Sequence, residues 1–153
     1  VYSSPLTRAY RTASSIGHRL GVDPIVDERL AEFDFGDLEG LTFENLQSDY
    51  PELYLSIIDP NGFDRAFPNG ESRSQLHDRV VSALGNILEA NAGSAVVVVA
   101  HLVVIGSAIA HLTTGDPHDI IRYLVRNCSV THLELHATHR AEIHTLDDIR
   151  HLE

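Results

Sequence analysis

Methionine is absent from all 153 residues, and cysteine occurs once, as Cys128. A single thiol excludes any disulfide within the chain and fits a reducing compartment, so a cytoplasmic location is expected. Basic residues are also scarce. Eleven Lys and Arg stand against 22 Asp and Glu, for a formal net charge of −11. That balance argues against a nucleic-acid backbone or an anionic membrane as a partner. It does not exclude a small anion, because a local pocket of Arg and His can override the global field. Long unbroken apolar runs are missing as well. The nearest, "AVVVVAHLVVIGSAIAHL" (95–112), is interrupted by Gly106, Ser107 and two histidines, so no membrane span is expected. There is no internal repeat, heptad or low-complexity tract. What remains is the composition of an ordinary globular domain, 43% hydrophobic and 22% charged, with enough length for one core. The chain opens on "VYSSP", which reads as the end of a strand. Residues 1–153 are therefore expected to form a single domain that is incomplete at its N-terminus, with any signal peptide lying upstream.

The elements follow from periodicity and punctuation. Ser4 followed by Pro5 reads as an N-cap with proline at the first helical position. Leu6, Ala9, Tyr10, Ala13, Ile16 and Leu20 then recur at helical spacing up to Gly21. "PIVDERL" (24–30) predicts a short extended piece, and "EFDFGDLEG" (32–40) an acidic loop. Thr42 caps a helix over 42–50, "PELYLSIID" continues it weakly, and residues 60–70 read as loop. The clearest helix spans 72–91, with Ser72 as cap and Leu76, Val80, Leu84, Ile87 and Leu88 as its apolar face. Four consecutive valines in "AVVVVA" (95–100) predict a strand buried on both faces, as in a parallel sheet. A helix follows His101, a shorter one covers 118–124, and strands are expected over 129–137 and 141–148. Helices alternating with strands in this order predict an α/β three-layer domain.

Sites in open α/β sheets gather beyond the carboxyl ends of the strands. Two such ends are legible: "VYSS" leading into "PLTRA", and "VVVVA" leading into His101. If these strands are parallel neighbours, Ser4, Arg8 and His101 approach one another. An arginine near helix N-terminal amides makes an anion site whose planar fork matches phosphate. A histidine across from it adds a donor that can become charged. Glu32 is the third candidate: beside bound negative charge its pKa would rise, making it a proton donor near neutral pH. Taken singly, each has a plainer reading. Arg8 also fits a surface helix residue paired with a carboxylate, His101 a core histidine, and Glu32 a solvated loop acid.

Taken together, the motifs are more specific. "SSPLTRAYRTA" (3–13), "LAEFDFGDLEG" (30–40), "FPNGES" (67–72) and "VVVVAH" (96–101) occur in the order of the histidine phosphatase superfamily, which the chain resembles over nearly its whole length. "YPELYLSIIDPNGF" (50–63) and "NCSVTHLEL" (127–135) also look like its members. The resemblance implies a three-layer α/β/α sandwich with a mostly parallel sheet, and phosphoryl chemistry through a phosphohistidine. It implies that Arg8 binds phosphate, that His101 holds the phosphoryl group, and that Glu32 acts as general acid and then base. It implies no metal and no cofactor, and a small phosphorylated substrate as partner. A homodimer is compatible with it.

The sequence departs from the family at two points. The family nucleophile lies in an Arg-His-Gly motif at the end of its first strand, and this sequence contains no Arg-His-Gly. His18, His77 and His111 fall on predicted helices and match no such context. The family also reads His-Gly where this chain has His101-Leu102, and often arginine where it has Gly106. Leu102 still offers a backbone N–H to phosphate, but only glycine takes a positive φ without cost. The expected activity of the full protein is hydrolysis of small phosphate monoesters, with the chain alone inactive. Phosphoglycerate mutase and a non-catalytic phosphate-binding remnant are the alternatives. The loops over 41–70 and 113–128 are expected to shape substrate choice.

Overall fold

The computed structural model describes residues 1–58, 63–136 and 139–153. Strand β1 (Tyr2–Ser3) is central in a parallel three-stranded sheet, between β2 (Ile25–Val26) and β3 (Val98–Val99). Tyr2 faces Ile25 on one side and Val98 on the other. Helix α1 (Thr7–Leu20) follows β1 and packs against β1 and β3. Helices α2 (Phe43–Asp49) and α3 (Pro51–Ile58) lie in the connection to α4 (Arg73–Ala90). Helix α5 (Leu102–Thr113) leaves directly from β3, and a 3₁₀ segment, Pro117–Tyr123, returns across it. Strands β4 (Val130–His136) and β5 (His139–Asp148) form a separate antiparallel hairpin.

The core forms where α4 and α5 meet. Leu76, Val80, Ala83, Leu84 and Ile87 of α4 pack with Val104, Ile109 and Ala110 of α5 and with Leu30, Phe33, Ile120, Tyr123 and Val125. Tyr2, Val96 and Ala100 from the parallel sheet and Leu133 and Ile143 from the hairpin rest on this cluster. The buried Ala9 and Ala13 of α1 stand outside it. The α/β sandwich expected from the sequence is thus present, with its parallel sheet.

The caps expected at α2 and α4 are formed. Thr42 accepts from the Asn45 N–H and Ser72 from the Gln75 N–H, each in a reciprocal box. The start of α1 differs. Its N-cap is Leu6, with no side-chain cap, so Ser4 and Pro5 lie outside the helix. The physical reason is that the Ser4 side chain is committed elsewhere, as described below. "PIVDERL" is extended only through Val26 before a 3₁₀ turn over Glu28–Leu30.

The valine run also departs from expectation. Only Val98 and Val99 join the ladder, and Val97 and Val98 remain 37% and 36% exposed. Strand β3 is hydrogen-bonded to β1 alone, so among the described residues its other edge is open. The apolar run was read correctly as parallel strand and wrongly as buried on both faces. The reading of 60–70 as loop partly falls outside the described residues.

Gly106 explains how the 3₁₀ segment lies so close to α5. A Cβ built there would stand 2.9 Å from the Ile120 carbonyl oxygen, which is backbone and cannot swing aside. Gly106→Ala gains about 1 kcal/mol of helix propensity and meets that clash. A net destabilisation of about 1–2 kcal/mol is expected from overpacking, measured by urea unfolding. A variant as stable as the parent would show that the 3₁₀ segment yields freely.

Candidate active site

The first strand and the valine strand do bring Ser4 and His101 together. The parallel register places the Ser4 N–H on the Val99 carbonyl at 2.9 Å, and two residues later the chain delivers His101. His101 is extended and serves as N-cap of α5, 7% exposed. Its Nε2 lies 2.7 Å from Ser4 Oγ, which also accepts the Leu6 N–H at 3.2 Å. This engagement is what keeps Ser4 from capping α1.

Burial, reinforced by the positive charges of Arg8 and Arg79, pushes the His101 pKa down to about 4. At neutral pH the imidazole is therefore uncharged. Arg8 is exposed on the first turn of α1; its carbonyl accepts from Thr12 Oγ1, and its guanidinium has no hydrogen bond or ion pair among the described residues. A guanidinium with no partner of its own keeps its donor fork available.

Glu32 joins the same group from the other side. Its Oε1 accepts the Phe33 N–H at 2.9 Å, and the Val103 amide in the first turn of α5 also favours its charged form. A carboxylate is favoured at such a terminus by unpaired amides and by the helix dipole. Even so, its pKa is raised, because burial outweighs the two amides and the lowering by Arg8 and Arg79. The sequence predicts this rise from a neighbouring anion. In the structure the cause is desolvation.

Leu102 occupies the first helical position of α5, where an N–H has no acceptor within the helix. The backbone strain expected of a non-glycine residue here is absent. The described non-glycine residues with positive φ are Asn69, Cys128 and Asp147, and the Leu102 side chain points outward, 40% exposed.

A residue the sequence pattern does not single out braces the site. Arg79, on α4, reaches the segment that carries Glu32. Its Nη1 donates to the carbonyls of Arg29 (2.6 Å) and Ala31 (2.8 Å). Its Nη2 donates to the Glu32 carbonyl (3.1 Å) and to Glu71 Oε1 (2.6 Å), and its Nε to Glu71 Oε2 (3.0 Å). Glu71 Oε1 accepts in turn from the Asp34 N–H at 2.9 Å. The signal was partly available: Glu71 lies in "FPNGES", and Arg79 follows eight residues later on the α4 face that turns toward Leu30.

The same two stretches interlock through backbone. The Asp37 N–H donates to the Pro68 carbonyl (2.9 Å) and the Glu71 N–H to the Asp34 carbonyl (3.0 Å). Gly36 holds φ of 55°, and a Cβ there would stand 2.2 Å from the Pro68 oxygen, so no other residue fits without displacement. Phe33, Phe35 and Phe67 close over the crossing, with ring centroids 4.9–5.6 Å apart. Glu32 is thus held by a braced loop.

The histidines that matched no family context lie apart from this group. His77 Nδ1 is 3.0 Å from Ser107 Oγ, and its ring meets that of His111 at 5.7 Å between α4 and α5. Among the described residues no cluster of His, Cys, Asp or Glu is placed to hold a metal ion, and no helix is long and apolar enough to cross a membrane.

Comparison with known proteins agrees with this geometry. The sequence profile of the histidine phosphatase superfamily (branch 1) matches residues 1–148. "Probable phosphoglycerate mutase GpmB" of Salmonella paratyphi B is 30% identical over 158 aligned positions, covering 100% of this chain and 73% of that protein. Among solved structures, YhfR of Bacillus stearothermophilus superposes with a TM-score of 0.84 at 26% identity, over 99% of this chain and 75% of that one. The mycobacterial glucosyl-3-phosphoglycerate phosphatase Rv2419c, in complex with VO3, superposes with a TM-score of 0.82 at 29% identity, over 95% and 75%.

Two outcomes follow from the geometry. Arg79→Met leaves Glu71 and three carbonyls without their donor, and a loss of about 3 kcal/mol is expected for breaking such a pair, read by denaturant unfolding. The second concerns pH. The His101 pKa is about 4 in the folded chain and about 6.5 in an unfolded one. Between those values the unfolded state binds the extra proton, so this contribution to stability falls as pH drops from about 6.5 to about 4. Unfolding free energy measured across that window should slope less steeply in His101→Asn than in the parent. Equal slopes would place the lowered pKa elsewhere.

Proposed function

The chain belongs to the histidine phosphatase superfamily, and from that premise we propose that it is the larger part of a phosphatase acting on small phosphate monoesters. In this reading the reaction runs through a phosphohistidine. The attacking histidine belongs to an Arg-His-Gly motif that this sequence does not contain, so residues 1–153 alone carry the receiving half of the site.

The observation that carries the proposal is a half-buried carboxyl with a raised pKa, Glu32, which lies near the first turn of α5 and within the field of Arg8 and Arg79, the two charges that also act on His101. A dianionic phosphoryl group placed there meets the Arg8 fork, the Leu102 N–H at the helix terminus and the His101 ring. These donors oppose the charge that develops on its equatorial oxygens. As the ester bond breaks, the electron pair goes to the leaving oxygen, and protonated Glu32 supplies the hydrogen that makes it an alcohol. The resulting carboxylate then takes a proton from water, whose oxygen attacks phosphorus and releases inorganic phosphate from the histidine. A carboxyl whose pKa is lifted by burial is suited to both halves.

Phosphoglycerate mutase is the second reading, favoured by the name of the 30%-identical relative. The connection from Gly40 to Pro68 is short, which supports the phosphatase. The full protein is to be given 3-phosphoglycerate and, separately, a generic phosphate monoester. Release of inorganic phosphate from the ester is expected. Isomerisation of 3-phosphoglycerate without release would favour the mutase, and phosphate binding without turnover of either would leave a non-catalytic module.

Glu32→Gln tests the acid role. Turnover should fall about a hundredfold or more with KM nearly unchanged. Because the native carboxylate is held against its desolvation, the same variant should be no less stable at neutral pH. Lost turnover accompanied by a lower melting temperature would point to a folding defect instead.

A further inference from the structure

Ser4 is completely buried. Its backbone is fixed by the sheet, through the bond from its N–H to the Val99 carbonyl at 2.9 Å. Its hydroxyl has two neighbours. Oγ accepts the Leu6 N–H at 3.2 Å and lies 2.7 Å from His101 Nε2. A hydroxyl has one hydrogen to donate, and a buried one left without an acceptor is costly. The acceptor that the described residues give it is His101 Nε2. An Nε2 that accepts carries no hydrogen of its own. The proton of the neutral ring is then on Nδ1. The opposite arrangement, Nε2–H donating to Ser4, would leave the serine hydrogen pointing at nothing.

We propose that Ser4 is a positioning residue that fixes His101 as its Nδ1–H tautomer, so that His101 offers a phosphoryl oxygen one neutral, directed N–H. The ligand half of this rests on the phosphatase reading above, whereas the tautomer does not. The surroundings of Nδ1 fit the role. It makes no hydrogen bond among the described residues, and no buried side-chain nitrogen or oxygen among them lacks a partner, so Nδ1 keeps contact with the surface. The ring is neutral at neutral pH, because burial and the charges of Arg8 and Arg79 lower its pKa to about 4, so a single tautomeric proton has to be placed. A neutral donor also differs from a cationic one in consequence. It binds an anion without first taking up a proton, so His101 contributes to phosphate affinity equally across the neutral range.

The test is the imidazole ¹⁵N spectrum of the labelled protein at neutral pH, with the His101 signals identified by their loss in His101→Asn. In the parent, Nε2 should appear at the unprotonated position and Nδ1 at the protonated one. Ser4→Ala should move the ring toward the Nε2–H form and raise the pH at which it takes a second proton, and Ser4→Thr should restore the parent pattern. Should Ser4→Ala not fold, Ser4→Cys replaces it, because a thiol is the weaker donor. Titration with inorganic phosphate should perturb Nδ1 more than Nε2, with affinity three- to tenfold lower in Ser4→Ala, as expected for about one hydrogen bond. A protonated Nε2 in the parent, or a Ser4→Ala spectrum equal to the parent's, overturns the proposal. Phosphate that perturbs Nε2 instead overturns the ligand half. Phosphate that fails to bind overturns both that half and the phosphatase reading, while the spectra of the free protein still decide the tautomer.

Discussion

A guanidinium taken out of water must find an acceptor for each of its donors, and Arg79 does so by tying α4 to the segment that carries Glu32. The carbonyls of Arg29, Ala31 and Glu32 belong to a stretch with little regular structure, and without a donor they would turn toward solvent. Glu71 completes the arrangement by answering Arg79 with one carboxylate and the Asp34 N–H with the same group. Arginine is suited to this where lysine is not. Its planar fork reaches several acceptors at fixed angles, and its charge cannot be titrated away. The fixed charge then acts on the site, lowering the pKa of both Glu32 and His101 without touching either side chain.

The site is an arrangement of opposed effects. Burial alone would neutralise Glu32 and His101 alike, one by adding a proton and the other by removing it. Arg8 and Arg79 moderate the first and reinforce the second. Among the described residues, neither group is tied up in an ion pair with the other. The carboxyl holds its proton to a higher pH than usual, and the imidazole is a neutral ring at neutral pH. The first turn of α5 adds to this, because the Val103 amide favours the charged form of Glu32.

The parts of this that could be read from sequence are those encoded locally. The capping boxes at Thr42 and Ser72, the apolar stripe of α4 and the turn from valine strand to helix each depend on a few adjacent residues. Ser4, Arg8 and His101 could be placed together because parallel strands end side by side, and the register bears that out for Ser4 and His101. What was not legible depended on pairing between distant segments. Ser4 has the composition of a helix cap, yet a histidine 97 residues away claims its hydroxyl. The valines have the composition of a doubly covered strand, yet β3 has one neighbour. Arg79 looked like one more polar residue on an amphipathic helix, and only the fold shows the three carbonyls in front of it.

The crossing of residues 34–37 with 68–71 has a consequence for the stretch between them. Two backbone bonds and the seat of Gly36 against Pro68 bring both ends of that stretch to one point. Both ends of the stretch 38–67 are therefore tied to the segment that carries Glu32, and Phe63 and Phe67 within it pack back on the core. Closing a longer excursion costs little, about 0.6 kcal/mol for each doubling of its length. The exposed residues of that stretch can change in length or sequence at that small cost, while Glu32 keeps its place beside the crossing.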